Sequence, residues 1–473
     1  MKHLHSFLLL LLCLFFFYCG GNTGGATPTS DCKIEGTIEG ITTSHVRLFG
    51  FLGENNYFID SFPANNGQFT ITTDSLYPGG IYYFVSGNDV VTLFFDADQH
   101  FSFSGKSGDL LNTLEFKGSK VNELFYKNLR FEEDYQARLD PIVNELNAPS
   151  ISEDKKAELE AERDALIDER EAHLQWFYDN HPNSLFTIYK KAGQNPKLRD
   201  ITNPDGTPDE AAQVYFYRHD FWNNVDFADE RLLRTPVIKN KLERYITKLT
   251  PQQADSMIAA VDPLIQKSKA NKEMFKFVSN YIGMHFQKPK FMGDDAVYVH
   301  IVQNYFTYDQ AFWADTTDID ALQRDAAWKK PSLIGQPGQD ITATDINGNN
   351  VSLFDIQAPY IIIYIFNPDC ENCKKETPKL VAAYHNELKQ KGAEVFTICD
   401  CDDEQLWKNY VNTTGMSIWT NVSDPTFQSQ FHRKYHFSTT PGIYVLNEDR
   451  TIIGKNINSE QIGVIIDRDM EKR

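Results

Sequence analysis

Seven consecutive apolar residues, Tyr360-Ile361-Ile362-Ile363-Tyr364-Ile365-Phe366, run into a short polar turn and then into Cys370-Glu371-Asn372-Cys373. This junction restricts the fold more than any other stretch. A β-branched and aromatic run without polar alternation reads as a strand buried on both faces, the kind found in sheets covered by helices. From about Glu371 to Lys391 the pattern changes to helix. The two cysteines therefore stand where a buried strand becomes a helix. Two intervening residues place both sulfurs on the first helical turn, within reach of a disulfide. Cys370 meets the exposed N–H groups and the positive end of the helix dipole, which favour a thiolate. Thiolate is the nucleophile of thiol-disulfide exchange. Cys373, one turn on, is placed to resolve a mixed disulfide. Lys374 and Lys375 add positive charge and Glu371 opposes it, so the direction of tuning is not readable here. The competing reading, half a zinc site, needs a second Cys-x-x-Cys or a histidine pair, and Cys399-Asp400-Cys401 has one intervening residue.

The flanking sequence completes an α/β domain over 331–473. Pro331, Pro337 and several glycines mark its entry. Asp345-Ile346-Asn347-Gly348-Asn349 reads as a hairpin turn. Ala393 to Cys399 is a second strand. Tyr444-Val445-Leu446 and Thr451-Ile452-Ile453 form a hairpin around Asn447-Glu448-Asp449, and Ser459 to Lys472 is a closing helix.

The segment Asn367-Pro368-Asp369-Cys370-Glu371-Asn372-Cys373-Lys374-Lys375-Glu376-Thr377-Pro378 resembles the active site of the TlpA/ResA-like thioredoxin family, whose pattern is C-x-x-C-x-x-E-x-P. Gly335-Gln336-Pro337, Asp345 to Gly348 and Val351-Ser352-Leu353 resemble that family's entry. Thr439-Thr440-Pro441 resembles the loop carrying its cis-proline. The resemblance implies a thioredoxin-like fold, thiol-disulfide oxidoreductase activity and a redox disulfide Cys370–Cys373. It implies that Thr440 and Pro441 meet a bound peptide and that Glu376 serves as acid and base. The alternative for Glu376 is a helix-surface acid paired with a lysine. Two positions depart from the family: Asp369 stands where an aromatic is usual, and Tyr364 where thioredoxin buries an aspartate. A peroxidase of the peroxiredoxin type needs Pro-x-x-x-Thr-x-x-Cys. Pro368, two residues before Cys370, fails that spacing.

The first residues set the compartment. Lys2 precedes an apolar stretch from Leu4 to Tyr18, the length of a signal-peptide core and too short to span a bilayer. Cys19 follows, then Gly20-Gly21-Asn22-Thr23-Gly24-Gly25. This resembles a bacterial lipoprotein signal over 1–19, with Cys19 lipidated and 20–31 a flexible linker. Tyr18 stands where the family has Gly, Ala or Ser. The expected location is the cell envelope, facing the periplasm from the outer membrane. A net charge of -19 excludes nucleic acid as a partner.

Residues 32–118 show period-two alternation, as in Lys33 to Glu39, with turns at 8–12-residue spacing, and read as a β-sandwich. Residues 119–330 read as an α-helical domain, with Glu153 to Tyr178 its clearest helix. Its many aromatics are expected to fill a core rather than line a groove. The β and helical regions resemble the domains that precede thioredoxin domains in Bacteroidota lipoproteins. The fold class is thus multidomain: N-terminal β-sandwich, α-helical middle, C-terminal α/β thioredoxin-like fold. Of seven cysteines, four cluster between 370 and 401, which argues for chemistry rather than a disulfide scaffold. Cys399 and Cys401 read as ordinary thiols, because a bridge at that separation is geometrically demanding. Cys32 reads as a small buried hydrophobe. His173, His181, His219, His285 and His300 are scattered, so no metal and no cofactor is expected. The expected partners are exported proteins with disulfides, a membrane or periplasmic electron donor, and the membrane itself through the lipid anchor. The alternative function is a binding or scaffold lipoprotein whose thioredoxin-like domain docks a partner.

Overall fold

The computed structural model describes residues 31–472 apart from Pro289 and Ser438. The expected signal segment with Cys19, and the linker as far as Ser30, lie outside the described residues. Among the described residues no helix is long and apolar enough to cross a membrane. The chain parts into two compact units. One runs to Ile188, without Leu52–Glu54; the other holds Leu52–Glu54 and everything from Tyr189.

The first unit opens with β1 (Cys32–Glu39), β2 (His45–Leu52), β3 (Asn55–Pro63), β4 (Gln68–Thr73), β5 (Gly80–Ser86), β6 (Asp89–Phe95) and β7 (His100–Lys106). The short α1 (Leu110–Thr113) and β8 (Glu115–Lys117) follow. They form two four-stranded sheets, ordered β4-β1-β7-β8 and β3-β2-β5-β6. Alternation does what the sequence implies: Ile34 and Ile38 are buried while Lys33 and Glu35 face water. Both sheets feed one core, with Ile34, Leu48, Phe69, Phe84, Phe95 and Phe103 among its members. The turn into β4 requires glycine. Gly67 has φ +79, and a Cβ there would sit 2.1 Å from the Ile38 carbonyl oxygen. β3 was not expected. It is an edge strand whose residues are only half-buried or exposed, so its hydrophobic alternation is faint.

Two long helices, α2 (Lys120–Leu146) and α3 (Glu153–Asn180), follow, then α4 (Leu185–Gly193). α2 is fastened to the sandwich. Asn122 exchanges hydrogen bonds with the backbone of Phe94, and the Tyr126 hydroxyl donates to the Thr92 carbonyl. α3 starts on the side chain of Ser152, which accepts the Lys155 N–H. The stretch expected as one helical domain over 119–330 is therefore divided, because α2 and α3 pack with the sandwich unit.

The second unit begins with α5 (Glu210–Asp220), α6 (Val237–Arg244), α7 (Ala254–Ser268), α8 (Lys272–Gln287), α9 (Asp294–Tyr305) and α10 (Thr316–Lys329). Phe221, Trp222 and Tyr305 are buried, as a core reading requires, whereas Tyr215 and Phe312 stay exposed. The thioredoxin-like part contains β9 (Thr342–Asp345), β10 (Asn350–Ser352), β11 (Tyr360–Phe366), α11 (Glu371–Ala383), β12 (Ala393–Cys399), α12 (Glu404–Thr413), β13 (Thr420–Ser423), α13 (Phe431–Lys434), β14 (Gly442–Leu446), β15 (Ile452–Lys455) and α14 (Ser459–Met470).

Its seven strands run in the order β10-β9-β13-β12-β11-β14-β15. β11 lies parallel to β12 and antiparallel to β14. All seven residues of β11 are buried, which explains the uninterrupted apolar run. Ile362, Tyr364 and Phe366 enter one core layer with Leu380 of α11 and Ile462 of α14; Ile361, Ile363 and Ile365 enter the opposite layer. At about 1.5–3 kcal/mol for each large apolar side chain buried, this strand dominates the local energetics. The helix expected from Glu371 to Lys391 continues past Ala383 as a wider π turn over Tyr384–Leu388. A buried ion pair crosses from α9 to β15: Lys455 Nζ lies 2.5 Å from Asp295 Oδ2 and 3.0 Å from Ser332 Oγ.

Candidate active site

β11 delivers the chain to the site, and Asn367 shapes the turn that follows. Its carbonyl accepts the Cys370 N–H at 3.1 Å, and its side-chain oxygen accepts the Asp369 N–H at 2.8 Å. Cys370 is then the N-cap of α11. Its Sγ accepts the N–H of Cys373 at 3.4 Å, one of the amides that a helix start leaves unpaired. Cys370 is partly exposed and Cys373 fully buried, and both are free thiols. The structure thus holds the dithiol state of the pair expected as a redox disulfide.

The Thr440–Pro441 peptide bond is cis. The Cys370 thiol donates to the Thr440 carbonyl at 3.2 Å, so this loop and the cysteine form one surface. Burial resists ionisation of Cys370. Hydrogen bonding by Thr440 and by the Cys373 and Asn372 backbone outweighs it, and the thiol lies below its ordinary value. Burial dominates at Cys373 and pushes that thiol up to about 12. One sulfur ionises more readily than an ordinary thiol and the other is held protonated.

Glu376 is half-buried, and its Oε1 accepts the N–H of Ser459 at 2.6 Å. This carboxylate holds the first residue of α14, next to the Asn458 N-cap. Hydroxyls line up behind Cys373 as well. The Tyr364 hydroxyl lies 2.8 Å from Thr377 Oγ1, which lies 2.9 Å from the Tyr410 hydroxyl. The rings of Tyr364, Phe366 and Tyr410 stack in sequence, with centroids 5.6 and 5.4 Å apart. Burial raises the Tyr364 phenol far above its ordinary value, so it stays neutral.

The expectation for Cys399 and Cys401 is corrected: they are joined as a disulfide, with Cα atoms 5.3 Å apart. An extended pair two residues apart would be separated by about 7 Å, beyond the usual reach of a bridge. Asp400 bends the chain. Its N–H donates to the Phe366 carbonyl at 2.8 Å, and its own carbonyl accepts the Asn367 amide at 2.6 Å. Those contacts come from a neighbouring strand, so local spacing did not reveal them. A second overlooked signal is His432-Arg433-Lys434-Tyr435-His436, which has the spacing of a ligand pair. The two rings have different partners: His432 bonds Asp400 at 3.0 Å, and His436 packs edge-to-face with Trp328. Among the described residues no three His, Cys, Asp or Glu side chains gather as a metal site.

Residues 334–455 match the AhpC/TSA family. Residues 32–125 and 200–323 match two domains of unknown function, DUF4369 and DUF5106. The thiol-disulfide oxidoreductase ResA of Bacillus thuringiensis (strain Al Hakam) is 29% identical over 118 residues, 24% of this chain and 57% of that protein. The ResA of a Bacillus cereus strain is 23% identical over 159 residues, 33% of this chain and 80% of that one. The chain thus spans little more than half the length of the first of these relatives. Among solved structures, a thioredoxin-like protein from Bacteroides caccae is 18% identical, with a TM-score of 0.47 over 58% of this chain and 98% of its own. A domain of a possible thiol-disulfide isomerase from Cytophaga hutchinsonii is 27% identical, with a TM-score of 0.28 over 30% of this chain and 97% of its own. The match to AhpC/TSA, the ResA relatives and the Cys-x-x-Cys at the start of α11 point the same way: the C-terminal part of this chain is a thioredoxin-like domain that is similar to the TlpA/ResA thiol-disulfide oxidoreductases.

Proposed function

We propose that the chain is a thiol-disulfide oxidoreductase that reduces disulfides in exported proteins through Cys370 and Cys373. The observation that carries this reading is the contrast between the two thiols: partly exposed Cys370 is lowered and capped by N–H groups, whereas buried Cys373 is raised to about 12. The Cys370 thiolate attacks a substrate disulfide and releases one substrate thiolate. Cys373 then attacks the Cys370 sulfur of the mixed disulfide and releases the substrate. The pair is left oxidised, and a membrane or periplasmic dithiol donor returns two electrons. The Thr440 backbone beside Cys370 is the place for the substrate's extended segment, and Pro441 fixes that loop. Export through the N-terminal signal and lipidation of Cys19, facing the periplasm from the outer membrane, complete the proposal.

The test is the redox equilibrium of the purified chain against glutathione, with thiols trapped and assigned. A potential for Cys370–Cys373 near that of thioredoxin, about -270 mV, is expected of a reductase. A value near about -120 mV would make it an oxidant instead, and a pair that neither oxidises nor exchanges would end the enzyme reading. Cys19→Ala is expected to abolish membrane retention of the expressed protein, measured by fractionation.

A further inference from the structure

Cys399–Cys401 stands close to the proposed site and takes no part in the exchange just described. β11 ends at Phe366 and β12 at Cys399, and these two residues are paired in register. Asp400, between the bridged cysteines, is hydrogen-bonded to Phe366 and Asn367, and Asn367 in turn holds Cys370. Cys373 and Cys399 lie in one apolar cluster, against which Cys370 and Cys401 both pack. Within the bridge the two sulfurs differ: Cys399 is buried and Cys401 half-exposed. A structural staple is a poor explanation. The constraint a disulfide places on the unfolded chain grows with the loop it closes, and this loop has a single residue between its ends. Asp400, Asp402 and Asp403 surround Cys401 in sequence and repel anionic thiolates such as glutathione. The neighbouring dithiol belongs to the same apolar cluster and does not have to diffuse to the bridge from solvent.

We infer that Cys399–Cys401 is a second redox pair that exchanges electrons with Cys370–Cys373 inside the same chain. The inference rests on the reading of Cys370 as a nucleophile. Cys370 loses its proton and its thiolate attacks the Cys401 sulfur. The Cys399–Cys401 bond breaks, and Cys399 leaves as a thiolate that takes up the released proton. Cys373 then loses its proton and attacks the Cys370 sulfur, forming Cys370–Cys373 and freeing Cys401, which takes up that proton. Two electrons move from the first pair to the second, and no outside oxidant is needed. Fully reduced protein then carries two dithiols and can deliver four electrons before the donor recharges it.

The experiment is rapid acid quench of the full chain during reduction by dithiothreitol, with each cysteine assigned by differential alkylation and mass spectrometry. In wild-type protein, opening of Cys399–Cys401 is expected to follow reduction of Cys370–Cys373. In Cys370→Ser/Cys373→Ser it is expected to slow at least tenfold. Cys373→Ser, lacking the resolving thiol, is expected to accumulate a peptide cross-linked between Cys370 and Cys401. A bridge that opens at the same rate in the double variant, or stays closed when wild-type Cys370–Cys373 is fully reduced, overturns the inference; the wild-type arm needs no altered protein. Exchange of wild-type Cys370 with oxidised glutathione, followed in parallel, separates the two failures. Exchange without opening of the second bridge defeats only this inference, whereas absence of exchange defeats the proposed function.

Discussion

Cys370 and Cys373 are three residues apart, yet their surroundings set them at opposite ends of thiol behaviour. The first caps a helix and touches solvent; the second lies inside the apolar layer beneath β11. Of this pair, iodoacetamide should therefore alkylate Cys370 and spare Cys373 at neutral pH, with the Cys370 rate rising at lower pH than for an ordinary thiol. Mass spectrometry of the labelled peptide checks this. Cys370→Ser should remove exchange with glutathione entirely, while Cys373→Ser should retain attack but stall as a stable mixed disulfide. At this scale the sequence was highly legible. Cys-x-x-Cys after an apolar run carried the thiols, and Thr440-Pro441 carried their neighbour. The partner of Glu376 was not legible, because Ser459 is 83 residues away in sequence and belongs to a helix packed on α11 only in the folded chain.

Elements explain the remaining surprises. β12 and β11 end together, and that shared end bends Asp400 and closes Cys399–Cys401. Tyr364, on the face of β11 toward α11, reaches Thr377 one helical turn beyond Cys373. Tyr364→Phe should destabilise the domain by about 1 kcal/mol through loss of a buried hydrogen bond, read from urea unfolding. The segment between α13 and β14 carries another dependence. Burial first, and then Lys329 and Lys455, lower His436 to about 4. The unfolded chain, with His near 6.5, binds the proton more tightly. This contribution to stability is therefore complete above about pH 6.5 and is lost as the pH falls toward 4, by at most about 3 kcal/mol. His436→Gln should flatten the urea midpoint across that window. Strands and helices with strong periodicity were readable; β3 and β13 were not, because an edge strand and a four-residue strand carry too little pattern.

At the scale of the whole molecule, the division into units departs from what composition suggests. The helices from α5 onward belong with the thioredoxin-like part, and α2 and α3 with the sandwich. Hydrophobic pattern reports that a helix has a buried face, not which neighbour covers it, so this assignment was beyond the sequence. Lys455 and Asp295 are both buried and paired within the second unit. Lys455→Ala should destabilise that unit by about 3–5 kcal/mol, since a buried carboxylate loses its counter-charge. Asp295→Leu/Lys455→Met should recover most of the loss, as judged by urea unfolding followed through tryptophan fluorescence. The same pair limits how freely this thioredoxin-like part can be exchanged. Transplanted onto another carrier, it brings a lysine at the end of β15 that has left its acid behind on α9. Recombination that breaks the chain between them yields offspring with an orphaned charge in the interior, so the two segments are expected to be inherited, and must be engineered, as one piece.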